Sequence, residues 1–139
     1  MTTHRKGLVL AWAPVLLWML LIFALSAIPE MPGDPGLPHA GSEWIDHLLR
    51  NAAHMAEYAV LAGLVWRAAR LRVPPSPGYL GPAAWSLLYA ASDELHQAFV
   101  PGRTCSLQDW ALDAAGAGLG LVLLVARRAY RQRQANPTR

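Results

Sequence analysis

The sequence predicts an all-α fold, an integral membrane bundle of four transmembrane helices with both termini on the cytoplasmic side. Three observations lead there. Hydrophobic residues make up 54% of the 139 and charged residues only 15%, against about 25% charged in soluble domains. The apolar residues gather into runs separated by Pro- and Gly-rich breaks. Lys and Arg cluster at one set of run ends, and acidic residues at the other. A chain of this length is one domain, residues 1–139.

The first span covers about 8–28. Leu8 to Ile28 is 21 residues without a charge, enough to cross a hydrocarbon core of ~30 Å at 1.5 Å per residue. Pro14 lies inside it, which membrane helices tolerate. The basic start and the small residues Ala24 and Ser26 imitate a secretory signal, but the run exceeds an h-region of about 7–15 residues. Residues 29–43, PEMPGDPGLPHAGSE, read as a loop.

The second span covers about 50–70, beginning near Ile45 or Asn51. It contains Arg50, His54 and Glu57, so its hydropathy is weak. RLRVPPSPG breaks the chain before the third span, about 79–100. PGRTCS is the next turn, and the fourth span covers about 107–126, with Asp109 and Asp113 in its first two turns. The remainder, 127–139, reads as a basic, frayed tail.

Arg5 and Lys6 precede span one. Arg67, Arg70 and Arg72 follow span two, and Arg127, Arg128, Arg131 and Arg133 follow span four. The opposite loops carry only Arg50 and Arg103. The positive-inside rule then places both termini in the cytoplasm. All nine acidic residues fall in the outer half: Glu30, Asp34, Glu43, Asp46, Glu57, Asp93, Glu94, Asp109 and Asp113.

Helical spacing groups them further. His54, Glu57 and Tyr58 share a face, as do Asp93, His96 and Gln97. Glu94 is turned about 100° away, toward a neighbouring helix or the headgroups. Asp109, Asp113, Gly116 and Gly120 lie along one stripe, and Gly116-xxx-Gly120 allows close helix approach. Three helices thus bring carboxylates, imidazoles and an amide to one depth, with Arg103 in the loop above.

Five acids face two fixed cations, Arg103 and Arg50. Some acids are therefore neutral, or a histidine is protonated, or a cation or cationic substrate binds. Bland readings stand beside this one. Asp109 suits a helix N-terminus. Tyr58 suits an interfacial aromatic, and the glycines suit packing alone.

Several motifs are excluded. DELH lacks a phosphate-cradling GxxxxGK[ST], HMAEY is not HExxH, and no GxSxG supports a serine nucleophile. The single Cys105 rules out an intrachain disulfide. The basic tail suits anionic lipid better than nucleic acid.

The ordered set His54-x-x-Glu57-Tyr58-x-x-Leu61, Asp93-Glu94-x-x-Gln97, Pro101-Gly102-Arg103, Asp109 and Asp113-x-x-Gly116-x-x-x-Gly120 resembles the VanZ-like membrane proteins over about residues 8–126. The resemblance implies a bacterial, multi-pass protein of the cytoplasmic membrane with four helices. The family takes its name from an accessory protein linked to teicoplanin resistance. Many members carry a Lys shortly before the His of span two, whereas this chain has Asn51 beside Arg50.

Three functions follow as expectations. In the first, an extracytoplasmic polar site (His54, Glu57, Tyr58, Asp93, Glu94, Gln97, Arg103, Asp109, Asp113) binds a lipid-linked envelope precursor or a lipoglycopeptide, alongside membrane lipids. In the second, His54, Glu57, Asp93, His96, Asp109 and Asp113 hold a divalent metal, or His54, Glu57, Asp93, Glu94, His96 and Asp113 run acid–base chemistry on a lipid headgroup. In the third, the polar network only fixes helix packing.

Overall fold

The computed structural model describes residues 2–29, 43–71 and 78–135. The described residues form four α-helices: α1 (Thr2–Ser26), α2 (Glu43–Ala69), α3 (Leu80–Gln97) and α4 (Leu107–Ala135). Glu30, Asp34 and Arg72, assigned above by their charge, lie outside the described residues.

Cross-helix pairs show the direction of each helix. Trp66 stacks on Tyr79 and Tyr58 tilts against Tyr89, so α2 and α3 are antiparallel. The Trp110 indole reaches the Leu87 carbonyl, and the Ser106 amide reaches Glu94. That makes α3 and α4 antiparallel as well. The Tyr89 hydroxyl donates to the Met19 carbonyl and Ser26 donates to Asp93, so α1 and α3 run parallel. The bundle therefore alternates up and down. The C-terminal ends of α1 and α3 meet the N-terminal ends of α2 and α4 at one pole.

Helix α2 is central and packs against the other three, most extensively against α4. Its Tyr58, Leu61, Ala62, Val65, Trp66 and Ala68 are buried. Close approach of α4 depends on two glycines. A Cβ at Gly116 would fall 2.6 Å from the Met55 Cα and nearer still to its carbonyl oxygen; at Gly120 it would fall 2.8 Å from the Ala59 Cα. These backbones are in direct contact, and no side chain fits between them.

Two helices are long and apolar enough to cross a membrane, α1 over Val9–Ser26 and α4 over its whole length. The dilution expected for α2 is present, since Arg50, His54 and Glu57 interrupt its apolar run. Several boundaries differ from the sequence reading: α1 starts at Thr2, ahead of residue 8, and α3 ends at Gln97, short of residue 100. Helix α2 starts at Glu43, and α4 continues to Ala135 where a frayed tail was expected. Apart from Tyr130, Ala, Arg and Gln fill 126–135 and are strong helix formers. The Arg128 guanidinium also lies 5.0 Å from the Trp66 ring centroid, which ties the extension to α2.

Candidate functional site

At the shared pole, the register set by Gly116 on Met55 carries the neighbouring residues with it. His54, one residue before Met55, places Nδ1 3.0 Å from Asp113 Oδ1, across 59 residues of sequence. Asp113 is fully buried, whereas the His54 side chain is 14% exposed. A carboxylate at Nδ1 favours the proton on that nitrogen and leaves Nε2 as the ring's second functional atom.

A second group joins α1, α3 and the turn after α3. Ser26 Oγ donates to Asp93 Oδ2 at 2.7 Å, and Gln97 Nε2 donates to the same oxygen at 3.1 Å. Arg103 Nη1 donates to Gln97 Oε1 at 3.1 Å, and its Nε reaches the Ile28 carbonyl at 3.3 Å. The turn aims this side chain. The Arg103 amide donates to the Val100 carbonyl and Gly102 has φ +81°. With Pro101 and Gly102 as its central residues, this is a type II turn, which needs a residue tolerant of positive φ at its third position. Its guanidinium thus bonds the segment just beyond the C-terminal end of α1.

A third group fastens α4. The Ser106 amide donates to Glu94 Oε2 at 2.7 Å, and the Asp109 amide donates to Ser106 Oγ at 3.2 Å. Ser106 is thus the N-cap of α4. Glu94 does turn toward a neighbouring helix, and it is buried among the described residues. Asp109 occupies the first turn, where its charge also suits the helix dipole.

Tyr58 is fully buried and lies within electrostatic reach of Asp93, Asp113, Tyr89 and Glu57. The Glu57 carboxylate lies in similar reach of His54, Asp113, Asp93 and Arg103. Among the described residues, Asp93, Glu94 and Asp113 each have one hydrogen-bonded oxygen and one buried oxygen without a partner, and the Tyr58 hydroxyl likewise has none.

His96 is placed apart. Its ring stacks on Phe23 of α1, with centroids 4.1 Å apart. Among the described residues no hydrogen bond or ion pair joins it to His54, Glu57 or the aspartates, and no three His, Cys, Asp or Glu side chains come together as metal ligands. Sequence reasoning missed Ser26 and Ser106. Ser26 is the lone hydroxyl residue of the run Leu8–Ile28, and that isolation was the signal.

Above these groups a cleft of about 80 Å³ is lined by Arg50, His54, Gln97, Arg103, Thr104 and Asp109. It combines two guanidiniums, an imidazole, an amide, a hydroxyl and a carboxylate. Donor and acceptor groups thus face one another across it. Its volume is well below the roughly 300–1,000 Å³ of pockets that enclose drug-sized molecules.

The family model for VanZ/LLP1 matches residues 10–128, which include every residue of this site. The chain belongs to the VanZ/LLP1 family. No curated protein and no solved structure matches it. Membership in VanZ/LLP1, together with the two apolar helices, points to a membrane protein.

Proposed function

We propose that this VanZ/LLP1 protein spans the bacterial cytoplasmic membrane four times and binds the polar group of a cell-envelope amphiphile at its polar pole. The observation that carries the reading is the cleft between Arg50, His54, Gln97, Arg103 and Asp109. It opens at one end of a bundle whose flanks expose Leu10, Leu17, Leu88, Phe99, Leu119 and Val122. Apolar flanks around a polar pole suit a ligand with a lipid tail and a charged head. Both termini are cytoplasmic in this reading, which follows the Lys and Arg distribution. The pole then faces the extracytoplasmic side.

The small cleft holds one polar group of the ligand, with the remainder lying along the helices. Lipid-linked wall precursors and lipoglycopeptides such as teicoplanin both have this form. Expression in a susceptible host, with teicoplanin and vancomycin tolerance measured, tests the proposal. Tolerance should rise with the parent chain and fall back with Asp93→Asn and Arg103→Ala at equal membrane abundance. Equal tolerance for all three chains argues against it.

The His54–Asp113 pair favours a second reading, acid–base chemistry on a lipid headgroup. A carboxylate-oriented imidazole is a common general base. Release of a headgroup product by the parent but not by His54→Gln would select this reading over binding alone.

A further inference from the structure

The pole opposite the cleft is built differently. No Asp or Glu occurs between Glu57 and Asp93 or after Asp113. Arg67, Arg70, Arg127, Arg128, Arg131 and Arg133 all belong to these stretches. Two of them converge on one aromatic ring. The Arg70 guanidinium carbon lies 5.2 Å from the Trp66 centroid and that of Arg128 lies 5.0 Å from it. They come from different helices, α2 and α4, so the bundle itself brings two cations within about a ring's width of a shared surface.

Trp66 is 3% exposed, yet its indole N–H has no hydrogen-bond partner among the described residues. Tyr79 stacks on it with rings only 5° from parallel. Tyr79 is also the N-cap of α3 and makes no side-chain capping bond. The amides of Leu80 and Gly81 precede the helix's own bonding at this place and carry the positive end of the helix dipole, whereas Pro82 has no N–H and the Ala83 amide donates to the Tyr79 carbonyl. Helix N-termini with nearby guanidiniums receive phosphate groups well. Leu71, Leu80 and Tyr130 are exposed at the same pole and offer apolar surface to acyl chains.

We propose that Arg70, Arg128, Trp66 and the N-terminus of α3 form a binding site for the phosphate of an anionic phospholipid. The two guanidiniums and the amides of Leu80 and Gly81 supply donors around the phosphate oxygens. Trp66, itself stacked on Tyr79, holds the guanidiniums in place. The carboxylate-free pole lets an anionic headgroup approach without like-charge repulsion.

The test uses the full chain purified in detergent and mixed with phosphatidylglycerol or phosphatidylcholine. Retained lipid is counted by native mass spectrometry. The parent should retain one phosphatidylglycerol in preference to phosphatidylcholine. Arg70→Gln/Arg128→Gln should lower that retention about 30-fold, about fivefold per guanidinium. Arg127→Gln/Arg131→Gln removes the same charge away from Trp66 and should lower it no more than about fivefold.

Equal losses for the two double variants would overturn the site in favour of a diffuse basic collar. Equal retention of the two lipids by the parent would also overturn it. Displacement of phosphatidylglycerol by millimolar inorganic phosphate would overturn the lipid assignment and indicate a soluble anion. Should the first double variant fail to fold, Arg128→Gln alone, set against Arg127→Gln, carries the same comparison.

Discussion

Replacing Gly116 by alanine should separate α2 from α4 and disconnect the site one turn away. The new Cβ would fall 2.6 Å from the Met55 Cα, where carbon atoms rest at about 3.5–4.0 Å. The obstacle is backbone, so no rotamer change relieves it, and the helices must part by about 1 Å. Overpacking of this kind costs about 1–3 kcal/mol. The His54–Asp113 contact of 3.0 Å would then stretch past hydrogen-bond range. Leaving Asp113 buried and unpaired adds about 1–3 kcal/mol. Thermal unfolding of the purified chain in detergent reads the sum as a clearly lowered midpoint. Gly118→Ala is the control, because nothing lies within 4 Å of its Cβ position. Gly to Ala in an open helical position stabilises by up to about 1 kcal/mol, so that midpoint should hold or rise. A Gly116→Ala chain that melts with the parent would show that the two backbones are not in contact.

His54→Ala and Asp113→Ala should be strongly non-additive. Each single change breaks a buried pair, at about 3–5 kcal/mol, while the double change removes both partners; a coupling under about 0.5 kcal/mol in a double-mutant cycle would count against the pair. Glu94→Ala should cost about 1–3 kcal/mol by leaving the Ser106 amide without its acceptor, whereas Glu94→Gln keeps an acceptor and should cost less. Hydrogen exchange at the first turn of α4 reads this directly, and equal protection in both variants would contradict the Glu94 clamp.

Much of this was legible in the sequence, and particular residues show why. The Pro- and Gly-rich breaks separated four helical runs, since the backbone chemistry of those residues is local. The stripe Asp109, Asp113, Gly116, Gly120 needed only helical periodicity; the last three are buried and Asp109 is half-buried. His96 shows the limit. Spacing put it on one face with Asp93 and Gln97, but a helix face is wide. Asp93 and Gln97 turned to Ser26 and Arg103, while His96 met Phe23 of α1. The length of α4 was underread because its apolar run ends near Ala126, whereas its helix propensity does not.

Sequence alone determined the polarity of the molecule. Its acids fall at one set of helix ends and ten of its twelve Lys and Arg at the other, and alternation of four runs is enough to gather each set at one pole. Only the tertiary structure decided which donor meets which acceptor. Ser26 and Asp93 are 67 residues apart, and His54 and Asp113 are 59 apart. Those partnerships depend on the rotation and register of packed helices. Here the register is set by two glycines whose missing side chains let α4 rest directly on the backbone of α2.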